Sequence, residues 1–232
     1  LEEGKIDLNS IFTESTAKYD VKAETFKELL RIIRYELAQR MSDAKTLLFT
    51  STRAGEGKSL IISCLAYSFA ITGKKVLILD TNFKNNTLTK MFKANANLES
   101  YLRGELSLSN SVSDTSVANI DIIGCKGGMY SLNEVAPAEM IAKKITEIKE
   151  NYDYIFLEGT SLNKYSDSKE LISYVDKFTA VFSSLNTVDE ADKNSIAFIG
   201  QIEAKFMGAM LNKVTVDNLE QVYGEPLKIK KK

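Results

Sequence analysis

Apolar residues recur along this chain in two rhythms, and their alternation predicts the architecture. Residues 24–41 place Phe26, Leu29, Leu30, Ile33 and Leu37 at spacings of three and four, one stripe of an amphipathic helix that should pack on the core. Strands are read at 46–50, 75–80, 119–124, 153–158, 177–183 and 207–212; Val-Leu-Ile-Leu-Asp within the second is nearly continuous, as in a parallel sheet buried on both faces. Helical patterns lie between them. The stretch 59–73 is uncharged and of helical length, with short helical pieces at 87–92 and 98–103. Pro137 suits a first helical turn, and the helix behind it runs to about residue 150 with Met140, Ile141, Ile145 and Ile148 inward. A last helix crosses about 189–205. Strands alternating with helices predict an α/β fold: a doubly wound, mostly parallel sheet flanked by helices, with ligands at the C-terminal strand ends. Residues 1–20 lack periodicity and read as a linker or loosely docked arm, 21–220 as one domain, and 221–232 as a basic tail.

The segment after the first strand carries the most chemistry. It reads Thr50-Ser51-Thr52-Arg53-Ala54-Gly55-Glu56-Gly57-Lys58-Ser59. Gly55 and Gly57 can take backbone angles closed to other residues, so successive N–H groups can converge on an anion. Lys58 supplies a point charge for outer phosphates, the Ser59 hydroxyl can ligate Mg²⁺, and the following helix adds its positive end. The strict phosphate-loop pattern, G-x-x-x-x-G-K-[ST], has glycine where this chain has Thr52. A bare G-x-G-K-S also occurs in ordinary turns; strand before and helix after are the setting the motif requires. The loop and first turn (Ser51, Arg53, Ala54, Gly55, Glu56, Gly57, Lys58, Ser59 and Leu60) are therefore the expected binding site for a nucleotide, which the resemblance given below makes ATP or ADP.

Two acids stand at strand ends, Asp80 and Glu158, and in an open parallel sheet those ends share one edge with the loop. Mg²⁺ on a nucleotide prefers oxygen ligands and takes one or two carboxylates plus waters, so Ser59, Asp80 and Glu158 are the metal candidates. Asp80 could also accept a proton from an attacking hydroxyl, which makes it, with Lys58, a catalytic candidate. A single acid after an apolar strand is more often a turn or helix cap. Two of them beside Gly-Lys-Ser favour the functional reading.

Composition narrows the field. The 232 residues are 44% hydrophobic and 26% charged with net charge −1, an ordinary soluble balance that predicts no nucleic-acid or membrane attraction. Without histidine, serine–histidine and cysteine–histidine catalysis and histidine metal sites are excluded. Cys64 and Cys125 sit in apolar contexts without metal-ligand spacing and read as buried free thiols. The uncharged run is too short to span a bilayer. Leu1 is not an initiator methionine, so an excerpt of a longer chain is expected.

With these residues named, the chain resembles the bacterial tyrosine kinase domains that accompany chain-length-determinant proteins in capsule and exopolysaccharide export, and more broadly the deviant phosphate-loop ATPases of the septum-site and plasmid-partition type. The likeness covers residues 23–216. The kinase loop T-S-x-x-x-G-x-G-K-S is matched by Thr50 through Ser59. A second motif, D-x-D-x-R, reads Asp80-Thr81-Asn82-Phe83-Lys84, and a third, Y-D-Y-I-I-I-D-T-P-P, reads Tyr152 through Ser161 with Glu158 at the acid. The segment Gly208 through Val214 resembles the strand near the adenine, which implies a base contact for Asn212. Glu28, Arg31 and Arg34 fit the E-x-x-R-x-x-R helix with which such kinases pack into a ring, and all three fall off the apolar stripe. The resemblance implies an ATP- and Mg²⁺-dependent protein-tyrosine kinase-like domain that self-associates and serves a polysaccharide export or co-polymerase machinery. It also implies a soluble domain on the cytoplasmic side of the inner membrane, part of a longer membrane protein. The alternative is a catalytically weak or inactive regulatory module of the same system; a membrane-cycling positioning ATPase, with Arg53 nearest to its extra lysine, ranks below both. The departures bear on that choice. Asn82 removes one acid, Glu158 is one methylene longer than aspartate, and Lys84 replaces a planar fork with a point charge. Gly159-Thr160-Ser161 stands where Thr-Pro-Pro is usual, and Tyr223 is the only tyrosine beyond Tyr174. Phosphoryl transfer depends on positioning and charge neutralisation, so these changes should weaken catalysis more than binding.

Overall fold

The computed structural model describes residues 21–214, so the arm at 1–20 and the tail at 221–232 lie outside the described residues. Seven strands form one sheet: β1 (Thr46–Ser51), β2 (Val76–Leu79), β3 (Ser113–Asp114), β4 (Ile120–Ile123), β5 (Tyr154–Ser161), β6 (Lys177–Ser183) and β7 (Phe206–Asn212), in the order β3-β4-β2-β5-β1-β6-β7. Every pairing is parallel except that of β3 with β4. Helices cover both faces. They are α1 (Val21–Met41), α2 (Lys58–Ala70), α3 (Thr87–Phe92), α4 (Leu98–Leu102), α5 (Leu108–Ser111), α6 (Leu132–Val135), α7 (Ala138–Lys149), α8 (Asp167–Leu171) and α9 (Glu190–Gln201).

Side-chain alternation explains why the central strands are apolar throughout. β1 sends Leu47 and Phe49 to the face covered by α1 and α2, and Leu48 to the other face, where Ile141, Ile145 and Ile148 of α7 pack. β2 divides Val76 and Ile78 from Leu77 and Leu79 in the same way. Each such side chain, wholly withdrawn from water, contributes about 1.5–3 kcal/mol. The uncharged stretch becomes α2, which is enclosed almost all round: Ile62, Cys64, Leu65, Ala66 and Phe69 are buried beneath α1. Both cysteines are buried free thiols.

Three expectations need correction. The stripe on α1 begins one turn later than its spacing suggests: Leu30, Leu37 and Met41 are buried, while Phe26 is 37% exposed. The 21-residue α1 is eight residues longer than the 13-residue α2 beneath it, about 12 Å of helix, so its first turns overhang. Second, β5 continues past Glu158 to Ser161, and Gly159 permits this, because a Cβ there would stand 2.3 Å from Ser168 Oγ of α8. Third, the polar segment after residue 103 holds a helical turn, α5, and the antiparallel edge strand β3, neither of which has an apolar rhythm.

The topology delivers the site. β5 lies between β1 and β2, with Leu48 opposite Leu157 and Leu79 opposite Leu157 on its other side. Glu158 is thereby set between the loop after β1 and Asp80 after β2.

Candidate functional site

The loop between β1 and α2 is held in a shape only glycine permits. Gly55 and Gly57 have φ of 80° and 92°, and Gly57 is the residue on which α2 begins. A Cβ on Gly57 would stand 2.1 Å from Asn212 Nδ2 at the end of β7. Lys58 is 6% exposed, and its Nζ donates to Ser51 Oγ at 3.0 Å. Burial pushes the Lys58 ammonium below its ordinary value, against the opposing pull of Glu158 and Glu56. Ser59 Oγ donates to Glu158 Oε1 at 2.8 Å. These residues border a cavity of about 350 Å³ whose walls include Gly55, Gly57, Lys58, Ser59, Asn82 and Glu158. Ala54 also borders it, and Leu60 turns to the apolar cluster under α1.

The acids differ from each other. Glu158 is 2% exposed, and its Oε2 has no hydrogen-bond partner among the described residues. Burial raises its carboxyl to about 7, Lys58 opposes the rise, and the Asp80 charge adds to it. Asp80 is fully buried and already engaged: its Oδ2 accepts from Thr89 N at 2.7 Å and Thr89 Oγ1 at 2.6 Å, at the start of α3, and its Oδ1 accepts from Asn82 N at 3.4 Å. Burial raises it to about 6 although those bonds favour the charged form. Lys84 lies 10% exposed, 3.4 Å from Asp167 Oδ1, and donates to Tyr130 O at 3.1 Å. Among the described residues no cluster of three or more Cys, Asp or Glu side chains could hold a metal by itself. A hydroxyl, a buried carboxylate oxygen without a donor and a phosphate form a donor set that suits Mg²⁺.

The side chains of Arg53 and Glu56 face away from the cavity. Arg53 pairs with Asp189 at 2.7 Å and Asp192 at 2.5 Å, at the start of α9. Glu56 is buried, accepting from Ser183 N and, at 3.0 Å, from Asn186 Nδ2. Asn212 Nδ2 donates to Glu56 O at 3.0 Å, and Lys213 Nζ to Gly55 O at 3.0 Å. The loop is thus stitched to β7 and to the segment between β6 and α9. Glu28, Arg31 and Arg34 are not part of the site. Glu28 and Arg31 pair with each other at 2.7 Å on the surface of α1, whereas Arg34 is not free: it donates to Ser68 O of α2 at 2.8 Å. Sequence reading missed Asp192, Asn163 and Thr89. Asp189-x-x-Asp192 is legible as a helix start, and the box is formed here, with Asp189 N donating to Asp192 at 3.1 Å. The pairing with Arg53, 139 residues away in sequence, had no signal.

The AAA domain family matches residues 44–173, which run from the start of β1 through the loop, Asp80 and Glu158 to the end of α8. The tyrosine-protein kinase CpsD of Streptococcus agalactiae is 29% identical over 202 residues, covering 83% of this chain and 86% of that protein. The crystal structure of the chimerical protein CapA2B2 superposes with a TM-score of 0.74 at 23% identity, covering 89% of this chain and 90% of that one. The septum site-determining protein MinD of Pyrococcus horikoshii OT3, complexed with Mg-ADP, gives 0.59 at 18% identity, with 79% of each chain covered. The last two likenesses concern the fold.

Proposed function

Because the chain belongs to the AAA domain family, we propose that it is a nucleotide-binding, tyrosine-kinase-like domain of a capsule or exopolysaccharide export system. The observation that carries this reading is the loop itself: two glycines at positive φ, the start of α2 and a buried Lys58 converge on one cavity beside Ser59 and Glu158. CpsD is named a tyrosine-protein kinase, and the MinD structure holds Mg-ADP; both support the assignment. The loop N–H groups from Ala54 to Leu60 and Lys58 grip the phosphates, with Ser51 and Arg53 shaping the turn. Mg²⁺, when bound, neutralises phosphate charge; Ser59 and Glu158 hold it, with Asp80 behind them. We assign the base contact to Asn212, whose Nδ2 also holds the loop through Glu56 O. In the kinase reading Asp80 is the group that would take the acceptor proton.

A second reading has its own observation. Asp80 is occupied by Thr89, and Asn82 adds no charge beside it. That favours a module that binds nucleotide and regulates assembly without transferring phosphate. Self-association through the exposed pair Glu28 and Arg31, with Arg34 bracing their helix from within, and export machinery as partner, belong to both readings. So does a place at the cytoplasmic face of the inner membrane; no helix among the described residues is long and apolar enough to cross a membrane.

Calorimetric titration with Mg·ADP and Mg·ATP tests the shared core. Saturation at 100 times Kd should raise stability by about 2.7 kcal/mol. Lys58→Ala should weaken binding by about 10- to 100-fold, the worth of a charged hydrogen bond. No binding at millimolar nucleotide would end both readings. Labelled ATP then divides them: phosphotyrosine formed by the wild type and not by Lys58→Ala supports the kinase.

A further inference from the structure

The geometry points to Asp192 as a positioning residue for Lys58, acting through Arg53 and Ser51. The inference rests on the nucleotide reading above and names a residue outside the loop that sets its grip.

Asp192 is 2% exposed yet lies in the first turn of α9, where it joins two other segments, the loop and the stretch after β5. Its Oδ1 accepts from Arg53 Nε at 3.1 Å and from Asn163 Nδ2 at 2.8 Å, while its Oδ2 accepts from Arg53 Nη2 at 2.5 Å. Asn163, just beyond β5, is itself fixed by Ser195 Oγ at 2.6 Å. The two-point contact with the Arg53 fork fixes direction as well as distance.

From Arg53 the connection continues through its own backbone. Ser51 Oγ donates to Arg53 O at 2.6 Å. A hydroxyl has one proton, so that bond commits it and turns the oxygen lone pairs elsewhere. One of them receives Lys58 Nζ at 3.0 Å. The order is therefore Asp192, Arg53 side chain, Arg53 carbonyl, Ser51 hydroxyl, Lys58 ammonium. Without Asp192, Arg53 keeps only its more exposed contacts with Asp189 and Thr187 O, so residues 52–54 could shift, the Ser51 proton could rotate, and Lys58 would lose the acceptor that aims it. The buried ammonium has little water to replace that acceptor.

A simple staple between the loop and α9 would use the same contacts, and a double-mutant cycle separates the two. Affinity for Mg·ADP is measured by calorimetry for the wild type, Asp192→Asn, Lys58→Ala and the double variant. Action through Lys58 predicts that Asp192→Asn weakens binding about 5-fold in the wild type and by less than about 2-fold once Lys58 is gone. Equal losses in both backgrounds, or no loss in the first, overturn the inference. Should Asp192→Asn fail to fold, Arg53→Gln carries the same cycle from the more exposed end of the pair. Wild-type protein that binds no Mg·ADP removes the nucleotide reading and this inference together; binding with an additive cycle removes this inference alone.

Discussion

The loop after β1 and Glu158 share one cavity, with Asp80 buried off its wall, and different principles hold the loop and the acids. On the loop side the polar groups are committed to one another. Lys58 has Ser51, Ser51 has Arg53, and the backbone oxygens of Gly55 and Glu56 take Lys213 and Asn212. On the acidic side one group is committed and one is not: Asp80 is absorbed into the start of α3, while Glu158 keeps an oxygen without a donor. Hydrogen bonds fix the first half and Asp80, whereas Glu158 stands buried with its carboxyl raised by that burial. The grip should therefore change little with conditions, and the acidic wall should respond to pH and to whatever cation approaches it.

Glu158→Gln breaks that comparison most forcefully. Burial holds the Glu158 carboxyl at about 7, against an ordinary value of 4.5. Between those values the unfolded chain has released the proton and the folded one still holds it, so stability falls as pH rises through the window. The neutral amide does not titrate. Its advantage over the wild type should grow from near zero at pH 4.5 to roughly 3 kcal/mol by pH 8. Denaturant unfolding of both proteins across that range, in chelator, reads the difference. A gap that stays flat with pH would mean that Glu158 is ionised throughout, held by Lys58, and that both halves are geometrically fixed.

Gly57→Ala strikes the other half. Its φ of 92° disfavours any side chain, and the new Cβ would stand 2.1 Å from Asn212 Nδ2, forcing that amide off Glu56 O. Together the backbone strain and the lost hydrogen bond should cost about 2 kcal/mol, a fall in Tm of roughly 4–8 °C that does not vary with pH. An unchanged Tm would show that the loop is not held as tightly as its contacts imply.

How much of this could be read from residue order follows from how local each feature is. The strand–glycine loop–helix unit at 46–70 was legible because its signals are contiguous: an apolar run, positive-φ glycines, an uncharged helix. Both acids could be assigned to one sheet edge, because parallel topology brings strand ends together. What those acids do there was not legible. Thr89 on Asp80 looks in the sequence like any residue at a helix start, and nothing marked it as the donor that occupies the carboxylate. Arg53 was read as a phosphate contact from its place in the loop, yet its side chain turns outward, because two acids from a distant helix outweigh local position. Phe26 shows the same limit, since periodicity gives the direction of a face and not the length of the partner beneath it.

The smallest effect concerns α1, which braces the loop side from behind. Arg34 bonds Ser68 of α2, the helix whose first residue is Lys58, so α1 and the loop share a support. Glu28 and Arg31 project from the same helix, their side chains 44% and 53% exposed, and pair only with each other among the described residues. Inside one chain such an exposed pair is worth about 0.3–0.5 kcal/mol. Arg31→Ala should therefore move Tm by less than about 2 °C. If the pair meets a second copy, the same substitution lowers the subunit count measured by light scattering at fixed concentration, while Mg·ADP affinity per subunit stays within about 2-fold because Arg34 and the loop are untouched. An unchanged subunit count would assign Glu28 and Arg31 to a solvated face. A large fall in affinity would mean that the loop is braced from outside the chain as well as from within it.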